Sequence, residues 1–366
     1  MSMNKICIIG GGPAGLSSAI KAAESGFDVK LYEMGEIGDN VRCAEGFIDT
    51  LNLLEKPEAG IRFKVKEMLV RCSDETYKLD VSPIRLWMID RREWQRHLAD
   101  KARSLGVEIL ENYPVTPDIL KKMKDEYLWI IDGSGVIPVT SRLYNFQWFY
   151  TKNCGVTFQY LIEGDFTFLH EKILAGLEPR YTGYYWIFPK GTYQANVGIG
   201  ILKYEGQVLR HELDRILEKE GLTRDYGYTI KQAIGGLCPN VIPHKVVYDN
   251  IILIGDACGL TSPFHGGGID LACISGKVAV EAVLEERVDT YKQELLKIIG
   301  DKLSLEQELV NFWEAAGFEL VNRLLKRFSK YKKFPYLIMN PAKYSQQLIT
   351  LLKILKNTEG KSKRVH

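Results

Sequence analysis

Residues 5–33, KICIIGGGPAGLSSAIKAAESGFDVKLYE, decide how the rest of the chain is read. Lys5 to Ile9 is a β-branched run of the kind buried inside a parallel sheet. Gly10 to Gly15 (GGGPAG) is a tight turn, Ala14 to Ser25 a small-residue helix closed by Gly26, and Asp28 to Glu33 the next strand. Strand, glycine turn, helix and returning strand make a parallel βαβ unit. Gly10 permits the turn, Gly12 lets the backbone approach a pyrophosphate, and Gly15, after Ala14, lets the helix pack closely on the sheet. The free N–H groups and positive end of that helix suit phosphates. Glu33 ends the second strand, where a carboxylate can accept from both ribose hydroxyls, which favours FAD or NAD over NADP.

Working outward, Leu86 to Gly106 reads as an amphipathic helix with Trp94, Leu98 and Ala102 on one face, followed by a strand at Val107 to Leu110. Tyr127 to Gly135 reads as a buried strand ending in Asp132-Gly133. Between Phe146 and Leu202, Tyr, Trp and Phe alternate as in an antiparallel sheet. The parallel pattern returns at Asn250 to Ile254, which runs into Gly255-Asp256-Ala257, then Pro263-Phe264-His265, Gly266 to Gly268 and a helix from Ile269 to about Glu286. Here Asp256 is placed to bind a polyol such as ribityl, while Gly267, Gly268 and Ile269 point a positive helix end at whatever lies beyond. An isoalloxazine there would have its reduced, negative form stabilised by up to about 2 kcal/mol, which selects FAD. From Leu303 the chain reads as helices, interrupted near Pro335 and Pro341. The expected class is α/β: a Rossmann-like FAD-binding domain (1–60, 85–140 and 245–286), an inserted antiparallel β-sheet substrate domain (61–84 and 141–244) and a C-terminal helical region with a basic tail (287–366).

Composition bounds the function. At 366 residues, 46% hydrophobic and 26% charged, the chain is neither disordered nor fibrous. Seven cysteines, odd in number and without a CxxC pair, indicate neither a disulfide framework nor a zinc or other metal site. The first apolar run ends after Ile9 and none approaches the roughly 20 residues that span a bilayer, so a cytoplasmic protein is expected, at most peripheral to a membrane. Residues 322–366 hold twelve Lys or Arg and one acid, Glu359, a net +11; with +2 overall, the remainder is −9. Such a tail suits an anionic membrane surface, and nucleic acid is not expected because the basic run lacks interleaved aromatics on a sheet.

GGGPAG with Glu33, the segment Ile89 to Leu98 beginning IDR, and Gly255-Asp256-Ala257 with the Gly266 to Gly268 turn resemble the p-hydroxybenzoate hydroxylase-type flavoproteins. That resemblance implies Arg91 near the flavin pyrophosphate and Val115 near the adenine. Val41 to Gly46 (VRCAEG) resembles the flavin-facing cysteine loop of the geranylgeranyl reductase family, which puts Cys43, Ala44 and Gly46 against the flavin. Tyr184 to Pro189 (YYWIFP), followed by Asn196 to Gly200 (NVGIG), is similar to that family's Y-x-W-x-F-P…V-G-x-G signature, and Pro263 to Ile269 (PFHGGGI) also fits. Tyr181 stands where the family carries proline.

The resemblance implies an FAD-dependent reductase that saturates isolated C=C bonds of geranylgeranyl chains on isoprenoid ether-lipid precursors. Hydride would pass from reduced flavin N5 to one carbon, and a proton to the other. Cys43 is the candidate to relay that proton or orient the alkene, against the commoner fate of a small buried hydrophobe. His265 is the second candidate donor. Tyr184, Trp186 and Phe188 share one side of a strand, where they line an apolar channel or simply fill a sheet core. The electron donor stays open between NAD(P)H, ferredoxin and another reduced carrier. The rival readings are an aromatic monooxygenase, a non-redox flavin polyene cyclase or isomerase, and a nucleotide-binding regulatory protein without catalysis.

Overall fold

The computed structural model describes residues 4–202, 206 and 208–331. The basic residues from Lys332 onward, and the interruptions expected at Pro335 and Pro341, lie outside the described residues. In chain order the first half forms β1 (Lys5–Ile9), α1 (Pro13–Glu24), β2 (Asp28–Tyr32), β3 (Gly46–Ile48), β4 (Ile61–Lys64), β5 (Glu67–Cys72), β6 (Glu75–Asp80), β7 (Leu86–Ile89), α2 (Arg91–Ser104), β8 (Glu108–Leu110), α3 (Pro117–Met123), β9 (Trp129–Asp132), α4 (Val139–Leu143) and α5 (Trp148–Lys152). The second half forms β10 (Cys154–Glu163), β11 (Lys172–Leu177), β12 (Gly183–Pro189), β13 (Gln194–Ile201), α6 (Leu209–Glu220), β14 (Thr229–Pro239), β15 (Val247–Tyr248), β16 (Ile251–Leu253), α7 (Ile269–Leu284) and α8 (Tyr291–Phe328).

These strands build three sheets. The first, in the order β15-β16-β9-β1-β2-β8, is parallel except for β15. Its central strand buries Ile6 and Ile8 on one face and Cys7 and Ile9 on the other, which is why the run from Ile6 to Ile9 is continuously apolar. The second sheet runs β14-β10-β13-β12-β11-β5-β6, antiparallel apart from the parallel pair β11–β5. Tyr185, Ile187, Val197 and Ile199 form its core with Leu213, Ile216 and Leu217 of α6. A small antiparallel sheet, β3-β7-β4, lies between them in sequence.

The expected helix over Leu86 to Gly106 is corrected. Leu86, Trp87, Met88 and Ile89 are all buried and pair with β3 and β4, a demand no surface helix can meet with four consecutive residues. The helix starts at Arg91, because the Asp90 carboxylate accepts the Glu93 N–H at 3.1 Å and caps it. α7 lies against α1 so closely that a Cβ at Gly276 would come 2.6 Å from the Ala14 carbonyl oxygen. α8 breaks at Gly317, whose φ is +73°. Among the described residues no helix is long and apolar enough to cross a membrane.

Candidate active site

The first glycine turn is built by close contacts between backbones. A Cβ on Gly15 would sit 1.8 Å from the Gly10 carbonyl oxygen, and one on Gly10 (φ +98°) 2.4 Å from that of Gly133, past the end of β9. Gly12, the N-cap of α1, differs, because a Cβ there would meet nothing within 4 Å. The turn therefore presents an open cradle at a helix N-terminus. Glu33 closes its far side: one carboxylate oxygen accepts the Gly11 N–H at 2.6 Å, the other the Gly35 N–H at 3.0 Å. A carboxylate offers about four acceptor positions, so room is left for two ribose hydroxyls. The Glu33 carbonyl also accepts the Tyr113 N–H at 2.8 Å, and half-buried Val115 packs in one cluster with Tyr32, on the face of the sheet away from α1.

Arg91 supplies the second fit. Its backbone N–H donates to Glu45 at 3.1 Å, while its side-chain Nε is buried and has no partner among the described residues. A buried, unpaired guanidinium nitrogen is costly unless an anion belongs there. Arg91 also opposes the burial that pushes the Asp256 carboxyl above its ordinary range. Gly12, Glu33, Arg91 and Asp256 together suit the pyrophosphate, ribose and polyol of FAD.

The cysteine loop is pinned to the second sheet by side chains. Gln159 on β10 donates to the Cys43 carbonyl at 3.1 Å, and Asn196 on β13 donates to the Ala44 carbonyl at 3.3 Å. Glu45 is buried with φ +68°, a conformation stabilised by its contacts: Lys190 at 2.5 Å, Asn196 at 3.3 Å and the Arg91 amide. The Glu45 N–H donates to Cys43 Sγ at 3.2 Å, which aims the half-buried thiol. Gln159 and Lys190 were not among the expected site residues, and their one signal was polarity within or at the end of otherwise apolar strands; Glu45 entered only as part of the VRCAEG stretch.

On β12 the side chains alternate as expected. Tyr185 and Ile187 enter the sheet core, whereas Tyr184, Trp186 and Phe188 follow one another with ring centroids 5.8 and 6.3 Å apart. The indole of Trp186 lies across β13 where a Cβ on Gly198 would come within 2.3 Å of it, and one on Gly200 within 3.4 Å. Glycine at 198 is thus required by the tryptophan, whereas a Cβ at 200 would only touch it. Phe188 reaches Gly46, 3.8 Å from where its Cβ would be, and the Tyr184 hydroxyl donates to the His265 carbonyl at 2.7 Å. One strand therefore bridges the cysteine loop and the late glycine turn. In that turn the His265 imidazole faces inward, its Nδ1 accepting the Gly267 N–H at 3.1 Å and its Nε2 lying 3.5 Å from Glu306. Gly268 is the N-cap of α7, and Ile269 its first residue.

Residues 158–237 match the geranylgeranyl reductase catalytic domain, and residues 4–59 match the pyridine nucleotide-disulphide oxidoreductase family. A digeranylgeranylglycerophospholipid reductase from Methanosarcina mazei is 30% identical over 76% of this chain and 75% of its own. The chain belongs to the geranylgeranyl reductase family. Digeranylgeranylglycerophospholipid reductase 1 of Methanosphaera stadtmanae is 28% identical over 99% of both chains. Among solved structures, a geranylgeranyl bacteriochlorophyll reductase-like protein from Thermoplasma acidophilum superposes with a TM-score of 0.78 at 20% identity, covering 96% of this chain and 98% of that one, which shows a shared fold. Family membership makes the first prediction specific. Glu33→Ala removes a charged acceptor worth about 1.5–3 kcal/mol, so FAD should bind about 10- to 100-fold more weakly, read from flavin absorbance after desalting.

Proposed function

We propose that the chain is an FAD-dependent oxidoreductase that saturates isolated double bonds of geranylgeranyl chains on isoprenoid ether-lipid precursors. The observation that carries the reading is the convergence of a cysteine loop, held by Gln159 and Asn196, with the Tyr184–Trp186–Phe188 face, beside a turn whose open cradle fits FAD. Bound FAD would supply the hydride. The chain's own residues do the rest. Trp186 and Phe188 give an apolar wall on which each buried methylene of a prenyl chain is worth about 0.8 kcal/mol. Aromatic faces stabilise positive charge that builds on the more substituted alkene carbon. The Cys43 thiol, oriented by the Glu45 amide, gives the proton to the other carbon. His265, with both ring nitrogens turned to Gly267 and Glu306, supports the turn and anchors Tyr184 through its carbonyl.

A lipid substrate places the work at a membrane surface. Arg323, Lys326, Arg327 and Lys330 are exposed on and just beyond the last turns of α8, and each basic residue near an anionic surface contributes about 1 kcal/mol. The test is anaerobic incubation of the FAD-loaded protein, chemically reduced, with a geranylgeranylated lipid in anionic vesicles. A gain of two hydrogens per double bond, slowing as salt is raised, is expected. An unchanged product mass would defeat the reductase reading, and a phenol-stimulated release of hydrogen peroxide would favour a monooxygenase.

A further inference from the structure

Behind the late glycine turn lies a buried group of ionisable side chains that the reaction as described does not use. Asp270, the second residue of α7, is fully buried, and neither carboxyl oxygen has a hydrogen-bond partner among the described residues. The Leu271 amide favours its anion electrostatically without reaching hydrogen-bond geometry. From α8, Lys302 is fully buried and donates to Glu306 one turn on. Burial pushes the Glu306 carboxyl up, but Lys302 and His265 outweigh it and hold the group at about 2. From the turn, His265 takes the Gly267 N–H on Nδ1 and faces Glu306 with Nε2 at 3.5 Å. From α7 itself the remaining titratable neighbour is the buried Cys273 thiol. Lys302 and Glu306 pair with each other, and among the described residues of this group Asp270 is the carboxyl with neither oxygen hydrogen-bonded.

Two opposing influences act on it. Burial without donors favours the protonated acid, whereas Lys302, His265 and the positive end of α7 favour the carboxylate. Burial, the largest influence, wins and holds the carboxyl above its ordinary range, and a negative charge arriving at the start of α7 raises it further. That is where the FAD reading, on which this inference rests, puts the ring that becomes negative on reduction.

We propose that Asp270 is a redox-linked proton site, taking up one proton when two electrons enter the FAD ring at the start of α7 and releasing it when substrate reoxidises the ring. The electrons come from a low-potential donor, for which dithionite can stand in. Two electrons and one proton go to the ring, and a second proton from solvent forms an O–H bond on the Asp270 carboxylate. Saturation of one double bond then consumes a hydride from the ring and a proton from Cys43. The Asp270 O–H bond breaks to restore the thiol, and the site returns to its starting charge.

The experiment is an equilibrium reduction of the FAD-loaded protein against a reference redox dye at several pH values around neutrality. The absorbance of the reduced ring is recorded so that a proton on the ring is not mistaken for one on Asp270. Each proton taken up lowers the reduction equilibrium constant about tenfold per pH unit. The wild-type protein should therefore show about a hundredfold dependence while its reduced ring stays anionic, and Asp270→Asn about tenfold. A hundredfold dependence retained in Asp270→Asn, or tenfold in the wild type, overturns the proposal. Should Asp270→Asn fail to fold, Lys302→Met decides, because loss of the cation must move the hundredfold interval to higher pH; an unmoved interval counts against it. A colourless wild-type preparation sinks the FAD reading itself, whereas a yellow one with tenfold dependence sinks only the proton site.

Discussion

Replacing Cys43 by alanine is expected to leave a yellow, FAD-loaded protein whose turnover of a geranylgeranylated lipid falls by about 100- to 10,000-fold, the range in which a positioned acid or base acts. The loop does not depend on the sulfur for its shape. Its carbonyls at 43 and 44 are held by Gln159 and Asn196, and Glu45 is fastened by Lys190 and the Arg91 amide. What alanine removes is the Sγ acceptor of the Glu45 N–H and the proton the thiol carries. An unconjugated alkene offers no oxyanion for the protein to stabilise, so placing the proton and the hydride donor on the right carbons has to supply most of the rate. Cys43→Ser keeps an exchangeable proton at nearly the same place and should recover part of the loss. Anaerobic single-turnover rates, measured with flavin reoxidation as the readout, test this directly. If alanine and wild type reoxidise equally fast, the thiol only fills space.

The parts of the fold that could be read in advance are those fixed by short-range geometry. GGGPAG announces its turn because the close approach of Gly15 to the Gly10 carbonyl excludes any side chain and lies within one supersecondary unit. The alternation at Tyr184, Trp186 and Phe188 survives because a strand repeats every two residues whatever surrounds it. Leu86 to Ile89 was misread for the converse reason. Trp87 continues the face of Trp94 and Ala102 on a helical wheel, and only pairing with the distant β3 and β4 makes the segment a strand. The cap could have corrected it: Asp90 and Glu93 have the spacing of a capping box, and Asp90 does cap the helix.

The site divides along the same line. Cys43 and the aromatic strand were legible through their resemblance to a family, and the structure brings them together across Gly46 and Phe188. Gln159 and Lys190 were not, since a polar residue in a strand acquires its role only from the loop it meets. Lys302 and Glu306 were hidden further still. On sequence they form an ordinary i,i+4 pair of a solvated helix, yet α8 turns that face inward against His265 and Asp270.

The same cradle separates what the fold needs from what the cofactor needs, through two alanines three residues apart. In Gly15→Ala the new Cβ would lie 1.8 Å from the Gly10 carbonyl oxygen and 3.3 Å from Ile8, so α1 must move away from β1. Overpacking of this kind costs about 1–3 kcal/mol or more, and α7, wedged against α1 at Gly276, has to follow. Both thermal stability and FAD retention should fall. Gly12→Ala meets neither obstacle. Its φ of −79° suits alanine, and its Cβ would touch nothing in the protein. Loss of a glycine at an N-cap costs about 1 kcal/mol or less, so the FAD-free protein should melt within a few degrees of the wild type. The methyl group would instead occupy the space through which the backbone approaches the pyrophosphate, and FAD affinity should drop about 100-fold or more, near 3 kcal/mol. Flavin content after desalting, set beside the melting temperature of the stripped protein, separates the two. A Gly12→Ala protein that remains as yellow as the wild type would mean that the dinucleotide does not lie across α1, and the assignment of Arg91 and Glu33 to its phosphates and ribose would go with it.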